Sequence, residues 1–204
     1  MSQVWGKSRR FLMAGAVALF ACLLAGLLVG CGGGASDEEL ITQAIDDELG
    51  VMVDPSGEVL EELVEESTAA AGDDLEQMGL EGTEIVEAWL DGFGYEIGDI
   101  TVDGDSATAE VTITCKQLYV ILMDWAGSFE DEVYAANLTS TDDIYAYAGT
   151  TMMEDISGAE PVATTVTFEF EKDGSEWSFP ESDDNQQALV DAIFGGGVSA
   201  SALL

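Results

Sequence analysis

The chain has 204 residues, 47% of them hydrophobic, and sets 41 carboxylates against five lysines and arginines, for a formal net charge of −36. So acidic a balance disfavours nucleic acid and anionic membrane surfaces as partners, because both would be repelled. Histidine is absent, which removes the usual general base, the commonest metal ligand and every Ser-His or Cys-His nucleophile, so zinc chemistry is close to excluded and any enzyme would rely on carboxylates, tyrosines or lysines.

At the N-terminus, Lys7, Arg9 and Arg10 precede an unbroken apolar run that closes with Leu28, Val29, Gly30 and Cys31. This arrangement resembles the lipobox of bacterial lipoproteins. In that family a diacylglyceryl group is joined to the cysteine sulfur and a peptidase cuts before the cysteine. Each part has a physical reason: the basic cluster stays at the cytoplasmic face, the apolar segment enters the bilayer, small Gly30 admits the peptidase, and Cys31 offers a nucleophilic thiolate. The resemblance implies a lipoprotein signal peptide over residues 1–30 and a lipidated Cys31 with a Gly-rich tether over 31–36. An acidic α+β domain over 37–194 and a flexible tail over 195–204 complete the chain. It also implies palmitate-type acyl chains and a place on the extracytoplasmic face of the cell membrane. An uncleaved transmembrane helix over residues 11–29 is the alternative, since a run of this length can span about 30 Å; a retained anchor has no need of Gly32, Gly33 and Gly34 after the cysteine. Residues 8–13 also fit a loose twin-arginine export pattern, while the strongly apolar segment favours the general secretory route.

Without the signal, 174 residues remain, enough for one domain with a real core. Only Lys116 and Lys172 then face the 41 carboxylates, a formal charge of −39. Two acyl chains would supply the membrane attachment that the charge opposes. With Cys22 removed and Cys31 acylated, Cys115 has no partner for an intramolecular disulfide. It follows Val111 and Ile113 at a spacing of two, which predicts a buried, inert thiol on the apolar face of a strand.

Ser36 and Glu39 form a capping box that opens a first helix, with Leu40, Ile41, Ala44, Ile45 and Leu49 on one face. A turn at Asp54, Pro55, Ser56 and Gly57 starts a second helix with the stripe Val59, Leu60, Leu63 and Val64. Gly72, Asp73 and Asp74 break it, and a short helical piece around Leu75 to Met78 precedes another from Thr83, with Ile85, Val86, Trp89 and Leu90 facing inward. The period then changes to two. Tyr95, Ile97, Ile100 and Val102 lead to a hairpin turn at Asp103 and Gly104, and Ala107, Ala109, Val111, Ile113 and Cys115 alternate on the return strand. Helical spacing resumes with Leu118, Ile121, Leu122, Trp125 and Phe129. A further helix after Thr141 uses Ile144, Tyr145, Ala148 and Met152 and ends before Gly158. Val162, Thr164, Val166, Phe168 and Phe170 alternate up to a second turn at Asp173 and Gly174, where Trp177 and Phe179 begin a return strand stopped by Pro180. Leu189, Val190, Ile193 and Phe194 mark a last helix. The order predicts one α+β domain with an antiparallel sheet covered on one face.

The second hairpin, residues 166–177 followed by an acidic turn, a short helix and Phe194-Gly195-Gly196, looks like the C-terminal segment of bacterial lipoproteins in the nuclear-transport-factor-2-like, or cystatin-like, superfamily. The first hairpin, with Val102-Asp103-Gly104-Asp105 before an alternating strand, is similar to the same proteins. The resemblance covers about half of the mature chain and implies helices packed on a curved antiparallel sheet around a cone. Members with enzymatic activity are isomerases and dehydratases that use an Asp or His base with a Tyr donor.

That pattern directs attention to Tyr119, Tyr134, Tyr145 and Tyr147 near Asp124, Asp142 and Asp143, although carboxylates are so abundant here that such neighbours arise by chance. Met123, Met152, Met153, Trp89 and Trp125 are candidates to line a site for a small apolar ligand, or are simply core. The acidic clusters at residues 46–48, 61–66, 73–76 and 142–143 lack the oxygen spacing and turn glycine of an EF-hand loop. Asn137-Leu138-Thr139 matches a glycosylation sequon. Taken together, the sequence predicts a lipid-anchored, non-catalytic binding or interaction module without catalytic residues, cofactor or metal site. Its expected partners are the membrane through Cys31 and cationic peptides, wall components or divalent ions. The alternative is a carboxylate/tyrosine isomerase or dehydratase.

Overall fold

The computed structural model describes residues 35–69, 73–179 and 182–196. Seven α-helices and four strands are found among them: α1 (Asp37–Leu49), α2 (Glu58–Ala69), α3 (Asp73–Met78), α4 (Gly82–Leu90), β1 (Gly94–Asp103), β2 (Ser106–Cys115), α5 (Leu118–Ala135), α6 (Thr141–Gly158), β3 (Val162–Asp173), β4 (Glu176–Trp177) and α7 (Asp183–Phe194). The strands form one curled antiparallel sheet in the order β1-β2-β3-β4. The two hairpins share this sheet because β3 returns beside β2 after α5 and α6, pairing from Ser106 opposite Glu171 to Cys115 opposite Val162. Among the described residues no helix is long and apolar enough to cross a membrane.

The period-two residues of β2 fulfil their pattern: Ala107, Ala109, Val111, Ile113 and Cys115 are all buried, and the residues between them are not. On this inner face α7 packs against β2 and β3, while α1 packs against β1 and β4. The opposite face, with Thr101, Thr108, Glu110, Thr165, Thr167 and Glu169, is exposed. The remaining helices form a second layer through contacts of α2 with α4, α3 with α6, α4 with α6 and α5 with α6. Gly149 permits one of these crossings, since a Cβ there would overlap the Met78 carbonyl oxygen. At the far end of the sheet the layers meet where Trp89 of α4 stacks on Phe194 of α7, with ring centroids 5.6 Å apart.

Several expectations shift by a residue or two, each for a local reason. The hairpin turns use Gly104-Asp105 and Gly174-Ser175, since Asp103 pairs with Ser106 and Asp173 with Glu176. Gly104 and Gly174 both take φ +67, so glycine holds the first central position and each aspartate closes the ladder instead of turning it. The Ile97 to Ile100 spacing is a bulge in β1, which restores both isoleucines to one face. The break expected after the second helix is present, with Asp73 and Asp74 opening α3; Gly158 is the last residue of α6, and Phe179 lies beyond β4. Phe179 still packs as an apolar residue, edge-on to Phe168 at 4.8 Å and Phe170 at 5.8 Å. Val162 was expected among the inward residues and is 45% exposed, because it lies at the end of the sheet. Gly72, Pro180 and residues 197–204 lie outside the described residues.

Lys116, between β2 and α5, is 2% exposed. Its ammonium donates to the Ala88 carbonyl at 2.8 Å and the Ser157 carbonyl at 3.4 Å, and it lies 3.5 Å from the exposed carboxylate of Asp91. Ala88 and Ser157 are in the last turns of α4 and α6, where carbonyls lack intrahelical partners and the helix dipole is negative. One cation thereby caps two helices. The backbone of the same residue accepts the Trp89 indole N–H at 3.0 Å, which fixes the ring stacked on Phe194.

The other lysine ties the opposite end. Lys172 forms an ion pair with Asp37, the first residue of α1, and lies 5.4 Å from the Trp177 ring centroid. The same Asp37 oxygen accepts the Trp177 indole N–H at 3.0 Å. Beside it the capping box is complete: Ser36 accepts from the Glu39 backbone and Glu39 from the Ser36 backbone. The Lys172 N–H donates to the Asp105 carbonyl at 2.8 Å, which joins the two hairpin tips.

Replacing Lys116 with methionine keeps the apolar stem but leaves both helix ends without their donor, and should lower unfolding stability by about 2–3 kcal/mol. Urea denaturation measures this, and an unchanged midpoint would mean that solvent serves those carbonyls equally well. The hydrogen bonds from Lys172 and then Trp177 hold the Asp37 carboxyl below the usual carboxylate range. A depressed folded pKa stabilises above the unfolded value of about 4 and loses that effect as pH falls through the folded value. Asp37→Asn should therefore be less stable than the parent at pH 7, with the gap closing below about pH 4 in paired melts.

Candidate functional site

The proposed lipid site Cys31 and its recognition residues Leu28, Val29 and Gly30 lie outside the described residues, as do Gly32, Gly33 and Gly34. What is described is the point at which the domain begins. Ser36 adopts an extended conformation and caps α1, and Asp37 is gripped by Lys172 and Trp177. Chain entering from the N-terminal side therefore meets a fixed helix start beside both hairpin tips.

The tyrosines are dispersed. Tyr134 is 86% exposed on the last turn of α5, and Tyr119 and Tyr145 are half-buried against the core. Tyr147 donates to Glu132 at 3.4 Å, a partner that reading by sequence neighbourhood missed because it lies on the facing helix. Asp142 and Asp143 occupy the exposed first turn of α6, where their charge complements the helix dipole. A second tyrosine-carboxylate pair, Tyr95 with Asp46 at 2.7 Å, joins β1 to α1 and was also not anticipated. Burial, followed by the Asp46 hydrogen bond and charge, pushes Tyr95 up to about 12. Burial and then Glu132 likewise raise Tyr147. Both phenols are made poorer acids and serve as donors that bridge elements.

The methionines and tryptophans do not converge on one chamber. Met152, Trp89 and Trp125 are core residues, Met153 is half-buried and Met123 is 38% exposed on α5. Trp125 donates to Thr151 at 2.9 Å and packs on Phe129 with centroids 5.0 Å apart, whereas Trp89 joins Phe194. Asn137 of the sequon has φ +56 just after α5, and the Leu138 N–H returns to the Val133 carbonyl. This is a helix-ending left-handed residue, a conformation that asparagine tolerates well.

Cys115 is fully buried and its thiol lies 3.4 and 3.5 Å from the carbonyls of Ala192 and Ile193 at the end of α7. Burial raises its pKa to about 11. The alternation that placed it on the inner face correctly marks it as a packing residue.

Charge distribution is the property that sets this surface apart. Among the described residues the only cations are Lys116 and Lys172, and both are engaged, the first inside the fold and the second at 19% exposure against Asp37. Asp37 and Asp91 are the carboxylates that these two lysines meet in ion pairs. On the α5-α6 pair, desolvation followed by Glu132, Glu154 and Asp124 raises the Asp155 pKa. Among the described residues no group of three or more potential ligands is gathered so as to hold a metal ion.

No protein-family model matches the chain, and no curated protein matches it. Among solved structures it is similar to a candidate lipoprotein, ycdA, of Bacillus subtilis, with 19% identity and a TM-score of 0.42. The match covers 62% of this chain and 39% of that one, so it spans about two fifths of ycdA.

In the folded protein Cys115 should react with iodoacetamide at pH 8 more than about a hundredfold slower than a free cysteine. Mass spectrometry of the peptide carrying it reads the rate, and rapid labelling without denaturant would contradict the packing.

Proposed function

We propose that this protein is a lipoprotein held at the extracytoplasmic face of the cell membrane by a diacylglyceryl group on Cys31. Its domain, of the nuclear-transport-factor-2-like kind, acts as a non-catalytic module that binds cationic partners. Basic peptides, polycationic wall components and divalent ions are the chemistry that such a surface attracts. The observation that carries this reading is the fate of the two lysines. Each is consumed by an internal contact, so among the described residues the exposed charge is overwhelmingly of one sign and no basic patch competes for an incoming cation.

The anchor supports the same reading in energetic terms. A domain of this charge is repelled by an anionic bilayer, and two acyl chains overcome that repulsion where one is marginal. The non-catalytic assignment is supported by Tyr95 and Tyr147, whose carboxylate partners hold them as structural bridges with raised pKa values.

Metabolic labelling with an alkyne analogue of palmitate should tag the parent protein and leave Cys31→Ser untagged and released from membranes. An intact mass that begins at Met1 in the parent would refute the anchor. Capture of spermine by the purified protein should weaken at least about tenfold between 50 and 300 mM salt; capture that is insensitive to salt would refute the electrostatic part.

A further inference from the structure

The two edges of the sheet are treated differently. On the β1 edge the strand is broken by the bulge between Ile97 and Ile100, and Glu96, Asp99 and Asp103 place exposed carboxylates along it. Bulges and charges are the devices by which edge strands resist pairing with other chains. On the other edge, β4 covers only Lys172 and Asp173 of β3. One side chain extends that cover by a single residue: Asn185 at the start of α7 accepts from the Glu169 N–H at 3.0 Å and donates to the Glu169 carbonyl at 2.8 Å. Its amide completes the ladder as a neighbouring strand would.

This contact fixes the direction of every backbone group before it. Since the N–H and C=O of Glu169 point away from β2, strand alternation points those of Thr167, Thr165 and Ala163 the same way. None of these six groups is bonded to another described residue, and all three residues are exposed. The segment Val162 to Phe168 has no charge, no proline and no bulge, and its pairing with β2 is regular throughout. It presents about 20 Å of straight β-edge that the described residues leave open.

The ends of that edge are acidic. Glu160 lies just before it, and Asp91 is near the same end because Gly92 abuts Pro161. Glu169 lies at the other end with Asp183 and Asp184, which precede the Asn185 that grips it. All five are exposed. We propose that the open edge of β3 receives an extended peptide as an added strand, with β-forming residues over 162–168 and basic residues at its ends facing these carboxylates. Main-chain hydrogen bonds would supply affinity and the terminal charges selectivity, as in other strand-addition interfaces. A second copy of this chain is a poor occupant. Antiparallel self-pairing would bring Glu160 of one copy beside Glu169 of the other, between two domains that each carry a large negative charge.

The inference deepens the reading of an anionic binding module and rests on it, and the test separates the two. The probe is the blocked peptide Lys-Lys-Thr-Val-Thr-Val-Thr-Lys-Lys, compared with its analogue N-methylated at alternate residues, added to the full-length protein in detergent micelles. Calorimetry should show binding to the first peptide and at least about tenfold weaker binding to the second, since only the first can complete a ladder. Hydrogen-exchange mass spectrometry should show the amides of residues 163–167 gaining protection. Thr165→Pro removes an N–H that faces away from β2 together with the hydroxyl that meets Thr112 at 2.8 Å, so it should lower the melting temperature slightly and weaken the first peptide about tenfold. Thr165→Val, which loses the same hydroxyl and keeps the N–H, should bind as the parent does. Equal binding of both peptides without protection at 163–167 would overturn the edge site and leave the anionic module standing. Binding of neither peptide would overturn both. A dimer dispersed by Thr165→Pro would overturn the peptide in favour of a second copy. If Thr165→Pro fails to fold, the exchange pattern and N-methyl comparison decide alone.

Discussion

The fold depends on one buried ammonium. Helices α4 and α6 both end at the same place, and every helix end brings carbonyls that no residue of its own helix can satisfy. Lys116 answers both at once, from a linker residue whose backbone also positions Trp89. That single arrangement joins the last turn of one helix, the last turn of another and the exit of the central strand β2. Trp89 and Phe194 then bring in α7, which packs on β2 and β3. In a chain with so few cations, a lysine inside the structure is a strong commitment: burying it is costly unless its hydrogen-bonding capacity is met, and here carbonyls and the nearby Asp91 meet it.

Most of the secondary structure was legible from periodicity and local chemistry. The capping box at Ser36 and Glu39 is present, the strand of Ala107 to Cys115 buries every second residue, and the final helix buries Leu189, Val190, Ile193 and Phe194. These features are short-range, so a few neighbouring residues determine them. What stayed hidden is long-range. Nothing around Lys116 announces that Ala88 and Ser157, 28 and 41 residues away, will converge on it. Tyr95 with Asp46 and Tyr147 with Glu132 are likewise invisible until the elements pack, because carboxylates occur near almost every tyrosine in so acidic a chain. The need for glycine at 149 follows only from the close approach of Met78. The superfamily likeness drawn from the hairpins implies an α+β architecture with a curled sheet, and that much is present.

The two ends of the molecule solve related problems with the same residue type. At one end a lysine neutralises helix carbonyls; at the other a lysine neutralises the first carboxylate of α1 and covers an indole. Both are structural uses of positive charge, and together they leave the described residues without a basic patch. Self-repulsion among the carboxylates opposes compaction but also keeps copies apart. The sheet shows that separation locally: the exposed face is threonine and glutamate, and one edge is interrupted while the other is left straight.

The seclusion of Lys116 and Lys172 has a consequence for resistance to digestion. Proteases of the trypsin type cut after basic residues, and the described domain offers them only these two positions. One is enclosed by two helix ends and the other is clamped between a carboxylate and an aromatic ring. Digestion must therefore wait for the domain to open, so its lifetime among such enzymes follows the frequency of unfolding instead of the abundance of cleavable bonds.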